Sequence, residues 1–396
     1  MPVNSQHSQY ATALSDWKVC RDVLAGRKAV HAAGAAYLPK LGGQTPEDYA
    51  AYQQRAGFFS ASRRTHDGLT GMLFRKDVEL NQPDRLTEFT GDFTGGGVSF
   101  NTFTELFCGE LMAVGRVAVL IDYPDVDVEP TSLAEQKRIG LRPYASMYKA
   151  ESLINWRTDV IGGRSQLTLA VLEEVRLIPE DEFTSKPKTF WRVLDLFNGV
   201  YRQRVFTNGD KGVEQVGVDK FPQLKGQPMS AIPLVVCGVT GEVVDIEPPP
   251  MIDLCEANLE HYRLMADYRH GLHFTALPTP VVTGHSVETD EHGTAKESLS
   301  IGSTTAWVFP DSGAQAFFLE FSGSGLSAYD TVVGRQEQNM ALLGARIIAG
   351  DTARVEAAET AQIKRAGEVS VLTSIDMSAS RGLTRAVMLV AGWAGE

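Results

Sequence analysis

The alternation of apolar and charged positions is most informative between Pro248 and Gly284, PPPMIDLCEANLEHYRLMADYRHGLHFTALPTPVVTG. Three prolines cannot continue a helix backwards, whereas Pro250 has its φ preset for a first helical residue. Asp253 and Glu256 fall in the first turns and Arg269, His270 and His273 near the end, the charge order that a helix dipole favours. At about 100° per residue, Asp253, Glu256, Glu260, Arg263 and Asp267 share one narrow face. Ile252, Leu254, Cys255, Leu259, Tyr262, Met265, Tyr268 and Leu272 spread over roughly 200° of the remainder, so this helix needs cover on two sides. Its own chain supplies one cover. The other is either more of the same chain, making this a central core helix, or a neighbouring subunit.

Upstream, residues 5–33 read as one or two short helices. After Gly42-Gly43, Thr45 caps a helix with Pro46 in its first position and Glu47 and Asp48 in its first turn. Helical spacing runs from Tyr49 through Phe59 and, less cleanly, to Leu73. Gly95–Gly97 interrupt the pattern, and Phe103, Leu106, Phe107, Leu111 and Val114 then mark a helix ended by Gly115. The run Arg116–Tyr123, RVAVLIDY, follows as a buried strand, giving a small α/β layer. Residues 150–240 change period: Gly162-Gly163 and Asn198-Gly199 are hairpin turns in an antiparallel meander of about five strands. Ile232–Val239 is a further apolar strand.

Beyond the long helix, TPVVTG, STTAWVFP and QAFFLEF read as strands, the first two around the polar hairpin HSVETDEHGTAKES. Ser324 or Ser327 caps the next helix, and Ser327 with Asp330 makes a capping box. Its apolar stripe is Leu326, Tyr329, Val332, Val333, Met340, Leu343 and Ile347, with Gln336 as a core amide inside it. The last stretch, Ala358–Trp393, reads as helical segments. The chain is therefore α+β, with pattern boundaries at 1–149, 150–240, 241–284, 285–350 and 351–396.

Composition changes this picture little. The chain has 396 residues, 43% hydrophobic and 22% charged, which allows two or three subdomains. A net charge of −12 argues against a sequence-independent grip on nucleic acid, while leaving open a protein past which DNA slides without sticking. Cys20, Cys108, Cys237 and Cys255 are far apart and read as free thiols of a reducing compartment. Neither a signal peptide nor a membrane-spanning run is expected.

Candidate chemistry is sparse. There is no phosphate loop and no dinucleotide fingerprint, and FSGSGLS lacks the first glycine of a nucleophile elbow. Asp122, Asp125, Asp127 and Glu129 carry oxygen ligands without the glycine of a tight calcium loop. His285, Asp290 and His292 sit on a charged hairpin tip. His261, Asp267, His270 and His273 lack the helical spacing of a zinc site. PEDEFTSK (Pro179–Lys186) only faintly echoes a nuclease, and Arg63, Arg64 and His66 read as a solvated or subunit-facing patch. No catalytic residue, metal or cofactor is expected.

Four segments resemble the portal proteins of tailed bacteriophages, in the family's order. They are YLPKLGGQTPEDYAAYQQRAGFFSASRRTHDGLTGMLFRK (Tyr37–Lys76), the long helix with its P-x-P-x-x-x-G strand, Phe318–Ile347, and ETAQIKRAGEVSVLTSIDMSASRGLTRAVMLVAGWAG (Glu359–Gly395). None is a catalytic signature; specificity lies in combined length and order. The resemblance implies a portal-type fold with an α/β wing, a helical stem and a strand-rich clip, assembled as a ring of about twelve subunits. It implies a conduit at one capsid vertex, formed in the host bacterial cytoplasm, through which double-stranded DNA is packaged and ejected. Its implied partners are the terminase large subunit, head–tail adaptors and the major capsid or scaffolding protein, with no membrane.

Carried over, Ile252, Cys255, Leu259, Tyr262, Met265 and Tyr268 would pack between subunits. Ser322, Gly323, Ser324 and Gly325 would form the loop nearest DNA, and 150–240 would supply the clip. Leu259→Asp with Tyr262→Asp would then abolish assembly. Family members commonly continue beyond the AGWAG segment into further strands and a C-terminal helical crown. Two other classes fit less well: a head–tail adaptor or minor capsid protein, and a metal-dependent nuclease or hydrolase.

Overall fold

The computed structural model describes residues 2–124, 135, 138, 140–209, 212–276, 279–284, 312–319, 325–349 and 370–394. The chain is α+β and divides into two compact units. One comprises Met1–Ala33, Phe59–Leu259 and Gln338–Glu396; the other comprises Gly34–Phe58 and Glu260–Glu337.

In the first unit, helices α1 (Ser8–Ala25), α2 (Arg27–Ala32), α4 (Ala61–Leu73), α5 (Thr87–Gly91) and α6 (Phe100–Val114) precede strand β1 (Arg116–Asp122). Gly115 ends α6 at φ 73°, a left-handed conformation that lets the chain turn directly into the strand. A Cβ there would also stand 3.2 Å from Pro250 and 3.3 Å from the Pro248 carbonyl. Every residue of β1 is buried. It is the middle strand of an antiparallel sheet, between β10 (Leu234–Gly238) and β2 (Tyr144–Lys149). The final helix, Val371–Ala394, packs on α6 and this sheet. Its Gly382 lies so near β10 that a Cβ would stand 2.2 Å from Cys237 Sγ. Beside it, Ser378 Oγ donates to the Gly238 carbonyl at 2.7 Å.

The same unit carries the expected meander: β3 (Leu153–Ile161), β4 (Arg164–Pro179), β5 (Ser185–Phe197), β6 (Val200–Gly209) and β7 (Gly212–Lys220), each antiparallel to the next, followed by the short pair β8 (Gln223–Leu224) and β9 (Gln227–Pro228). Asn198 and Gly199 both have positive φ, 51° and 79°, as a two-residue hairpin turn requires. The middle of the sheet is buried through Ala170, Leu172, Val193 and Leu194, while the hairpins at both ends are exposed.

A buried ionic network ties the meander to the small sheet. Arg192 on β5 reaches Asp122 at the end of β1 (2.8 Å) and Glu174 on β4 (2.6 Å). Gln203 donates to Asp122 (3.0 Å), while Tyr148 and Arg176 donate to Glu174 at 2.7 and 2.5 Å. Burial alone would push the Glu174 carboxyl up, but Arg192 and these donors outweigh it and hold it below the ordinary carboxylate range.

The second unit contains α3 (Pro46–Arg55), parts of the helices Ile252–Ala276 and Leu326–Ala349, and the two-stranded ribbon β11 (Thr279–Thr283) with β12 (Gln315–Leu319). Thr45 and Asp48 form a capping box with Pro46 at the first helical position. The helical pattern does not run on from here to Leu73. The chain leaves the helix at Ala56, and Gly57 lies beneath the Arg269 guanidinium, where a Cβ would be 2.2 Å from Nη1. The strand pairing with β11 is QAFFLEF; STTAWVFP lies outside the described residues.

Two outcomes follow from the network. Arg192→Met removes the cation shared by buried Asp122 and half-buried Glu174, which keep Gln203 and Arg176 respectively, and lowers unfolding free energy by roughly 1–3 kcal/mol in urea titrations. Glu174→Gln tests the sign of the pH dependence. A carboxyl held below its ordinary 4.5 contributes stability above that pH and loses it as pH falls through the folded value. The stability gap between wild type and Glu174→Gln therefore narrows as pH drops below 4.5.

Candidate functional site

Helix α7 (Ile252–Ala276) starts two residues after Pro250, because the Ile252 N–H is bonded to the Pro249 carbonyl in a preceding turn. Asp253, Glu256, Glu260 and Arg263 are exposed and Asp267 half-buried, so the charged stripe faces outward as its spacing requires. Leu254, Cys255, Leu259, Tyr262 and Ala266 are buried within the single chain. Of the six positions assigned to subunit packing, Cys255, Leu259 and Tyr262 thus find their cover in the chain itself, the central-core alternative for this helix. Ile252, Met265 and Tyr268 are only half-buried.

Particular contacts account for this cover. Cys20 of α1 neighbours Cys255, and both thiols are fully buried. Asn258, which the periodicity does not single out, accepts from the Ser62 N–H (3.1 Å) and Oγ (3.0 Å) and donates to the Phe59 carbonyl (2.8 Å). A buried amide so fully used fixes the register of α7 on α4. Toward the other end, Tyr262 meets Phe58 edge to face at 5.8 Å, and Arg263 donates to the Tyr37 carbonyl at 2.8 Å.

The candidate metal histidines do not converge. His261 is buried with Nε2 3.4 Å from Glu337, whereas Asp267 accepts from the Tyr52 hydroxyl at 2.5 Å. His270 stacks edge-on against Tyr52; burial, and then the neighbouring Arg55 guanidinium, hold it below its ordinary value. Among the described residues, no three His, Cys, Asp or Glu side chains are grouped to hold a metal ion. Asp122 is taken up by Arg192 and Gln203. Asp125, Asp127, Glu129, His285, Asp290 and His292 lie outside the described residues.

The nuclease-like PEDEFTSK stretch forms the β4–β5 hairpin tip. Asp181 accepts from the Phe183 N–H, the Thr184 N–H and the Thr184 hydroxyl at 2.7, 2.8 and 2.6 Å, and Lys186 pairs with Glu180. These hydrogen bonds hold the Asp181 carboxyl below the ordinary carboxylate range and give it a turn-forming role. Arg64 lies over the Phe59 ring and His66 is bonded to the Gly109 carbonyl.

Helix α8 (Leu326–Ala349) follows the candidate tunnel loop. Ser322, Gly323 and Ser324 lie outside the described residues; Gly325 is exposed, and its carbonyl accepts from Ala328 and Tyr329 in the first turn. Ser327 lies inside the helix, not at its cap. Val333, Met340 and Ile347 are buried as the stripe requires, but Val332 is exposed. Gln336 is buried and donates to Glu260 at 3.0 Å, and Tyr329 stacks on Tyr268. The last helix, α9 (Val371–Ala394), is capped by Ser370, which accepts from the Thr373 N–H at 3.1 Å.

Residues 250–394 match a protein family described as a domain of unknown function, DUF4055. A comparison with curated proteins finds no match. Among solved structures, the chain is similar to one from the neck of an empty GTA particle, with 12% identity, TM-score 0.39, and 90% of this chain and 86% of that one covered. It is likewise similar to a chain from the virion of a native gene transfer agent particle, at 12% identity and TM-score 0.38, covering 93% of this chain and 87% of that one. Among the described residues, no helix is long and apolar enough to cross a membrane.

Burial of Leu259 and Tyr262 changes the outcome expected for their joint substitution. Leu259→Asp with Tyr262→Asp removes the cooperative thermal transition of the chain itself, read by circular dichroism. Glu256→Gln on the exposed stripe leaves stability within about 0.5 kcal/mol of wild type.

Proposed function

We propose that this chain is a portal-type subunit of a phage-like particle: a ring-forming structural protein at one capsid vertex, through which double-stranded DNA enters and leaves. The observation that carries this reading is the succession of four family-like segments. They coincide with α3–α4, α7 with β11, the β12–α8 region and the C-terminal helix α9.

In this reading α7 is the stem helix, α8 the helix beside the tunnel, and the five-stranded sheet the clip. The terminase large subunit and head–tail adaptors dock on the ring, capsid or scaffolding protein surrounds it, and the subunit has no catalysis of its own. Ser322–Gly325 supplies small, uncharged residues toward the DNA. A net charge of −12 supports transit without retention, because sequence-independent holding of phosphates needs a basic surface. The half-buried Ile252, Met265 and Tyr268 are the stem positions left for a neighbouring subunit.

Native mass spectrometry and negative-stain imaging of the purified chain test this. A closed ring of about twelve subunits with an axial opening is expected. A chain that stays monomeric across the concentration series, or assembles with no axial opening, overturns it and leaves a head–tail adaptor as the better description.

A further inference from the structure

Within the second unit, side chains of α3 meet those on the later half of α7. In the third turn of α3, the Tyr52 hydroxyl donates to Asp267 at 2.5 Å. At the last residue of α3, Arg55 Nη1 lies 3.4 Å from His270 Nδ1. A guanidinium nitrogen carries protons and offers no lone pair, so it can only donate. The Nδ1 atom facing it must therefore accept. Only a neutral imidazole with its proton on Nε2 can do so. This one contact specifies both the charge and the tautomer of His270.

The charges around the ring are mixed in sign. From α3, Arg55 opposes a positive imidazole and Asp48 favours it; from α7, His273 opposes it and Asp267 favours it. Tyr52 meets the ring edge to face at 5.1 Å, and its hydroxyl is already committed to Asp267. Arg269 reaches the Arg55 carbonyl at 3.4 Å, bringing a second guanidinium to the end of α3. Burial and then Arg55 prevail, and the folded imidazole titrates below its ordinary 6.5. The neutral ring therefore contributes stability that is fully present above pH 6.5 and is lost as pH falls through the folded value. Once Nδ1 holds a proton, an accepted hydrogen bond becomes N–H against N–H, with two like charges in contact.

We propose that His270 is an acid-sensitive latch on α3: as a neutral ring it accepts from Arg55 and holds the last turn of α3 on α7, and as a cation it releases that turn. Arg55 stands shortly before Phe58, where the chain leaves the second unit, so the latch acts on the segment by which the chain passes into the first. Everything it needs lies within one chain, and it holds whether or not copies assemble.

Hydrogen–deuterium exchange of the full chain provides the test, read as protection factors so that the intrinsic pH dependence of exchange cancels. Between about pH 7.5 and about pH 5.5, the α3 amides lose protection several-fold while those of α9 keep theirs. His270→Asn sets a carbonyl oxygen where Nδ1 stands, so it keeps the acceptor for Arg55 and cannot gain a proton. Its α3 stays protected at both pH values. Arg55→Gln keeps a donor without the charge and shrinks the change. In nitrogen NMR of wild type, the neutral His270 ring carries its proton on Nε2. An α3 equally protected at both pH values overturns the proposal. So does a His270→Asn chain that loses α3 protection in acid as wild type does, or a neutral ring protonated on Nδ1.

Discussion

The meander keeps its position because one guanidinium is shared by two carboxylates from different layers. Arg192 binds Asp122, where the small sheet ends, and Glu174, midway along β4. Apolar contacts between sheets tolerate sliding; a bidentate cation between two fixed acids does not. The net energy of such a network is modest, since desolvating three charges offsets much of their attraction. Its larger effect is orientation. The hairpin ends of the meander are presented at one angle to the α/β layer.

The long helix α7 works by a different division of labour. Its exposed stripe of Asp253, Glu256, Glu260 and Arg263 keeps one side solvated, and Asn258 and Cys255 fix the opposite side to α4 and α1. Wide apolar coverage would let a helix rotate by one position without great loss. Asn258 removes that freedom, because a turned helix would leave its amide, Ser62 and the Phe59 carbonyl buried without partners.

How much of this could be read from the chain follows from sequence distance. The capping box at Thr45 and Asp48, the stop at Gly115, the turn at Asn198-Gly199 and the outward stripe of α7 depend on residues within one turn of each other, and all are legible. The break after Arg55 is not, since its occupant is Arg269, more than two hundred residues away. The same holds for the cover of Leu259 and Tyr262: periodicity shows that a face needs burying, but not which surface buries it. Asp181 was legible as an acid and not as a turn-former, because its partners are backbone N–H groups that carry no side-chain signature. The tunnel loop remains a sequence inference, with Gly325 its one described residue.

The missing side chain at Gly382 has a consequence for the chemistry of Cys237. The helix axis lies so close over the strand that the sulfur occupies the space where any other residue would place its Cβ. Burial pushes this thiol up to about 12, so at neutral pH it is protonated as well as covered. A modifying reagent can reach it only while α9 is lifted from the sheet. Its rate of alkylation is therefore a clock for that one opening.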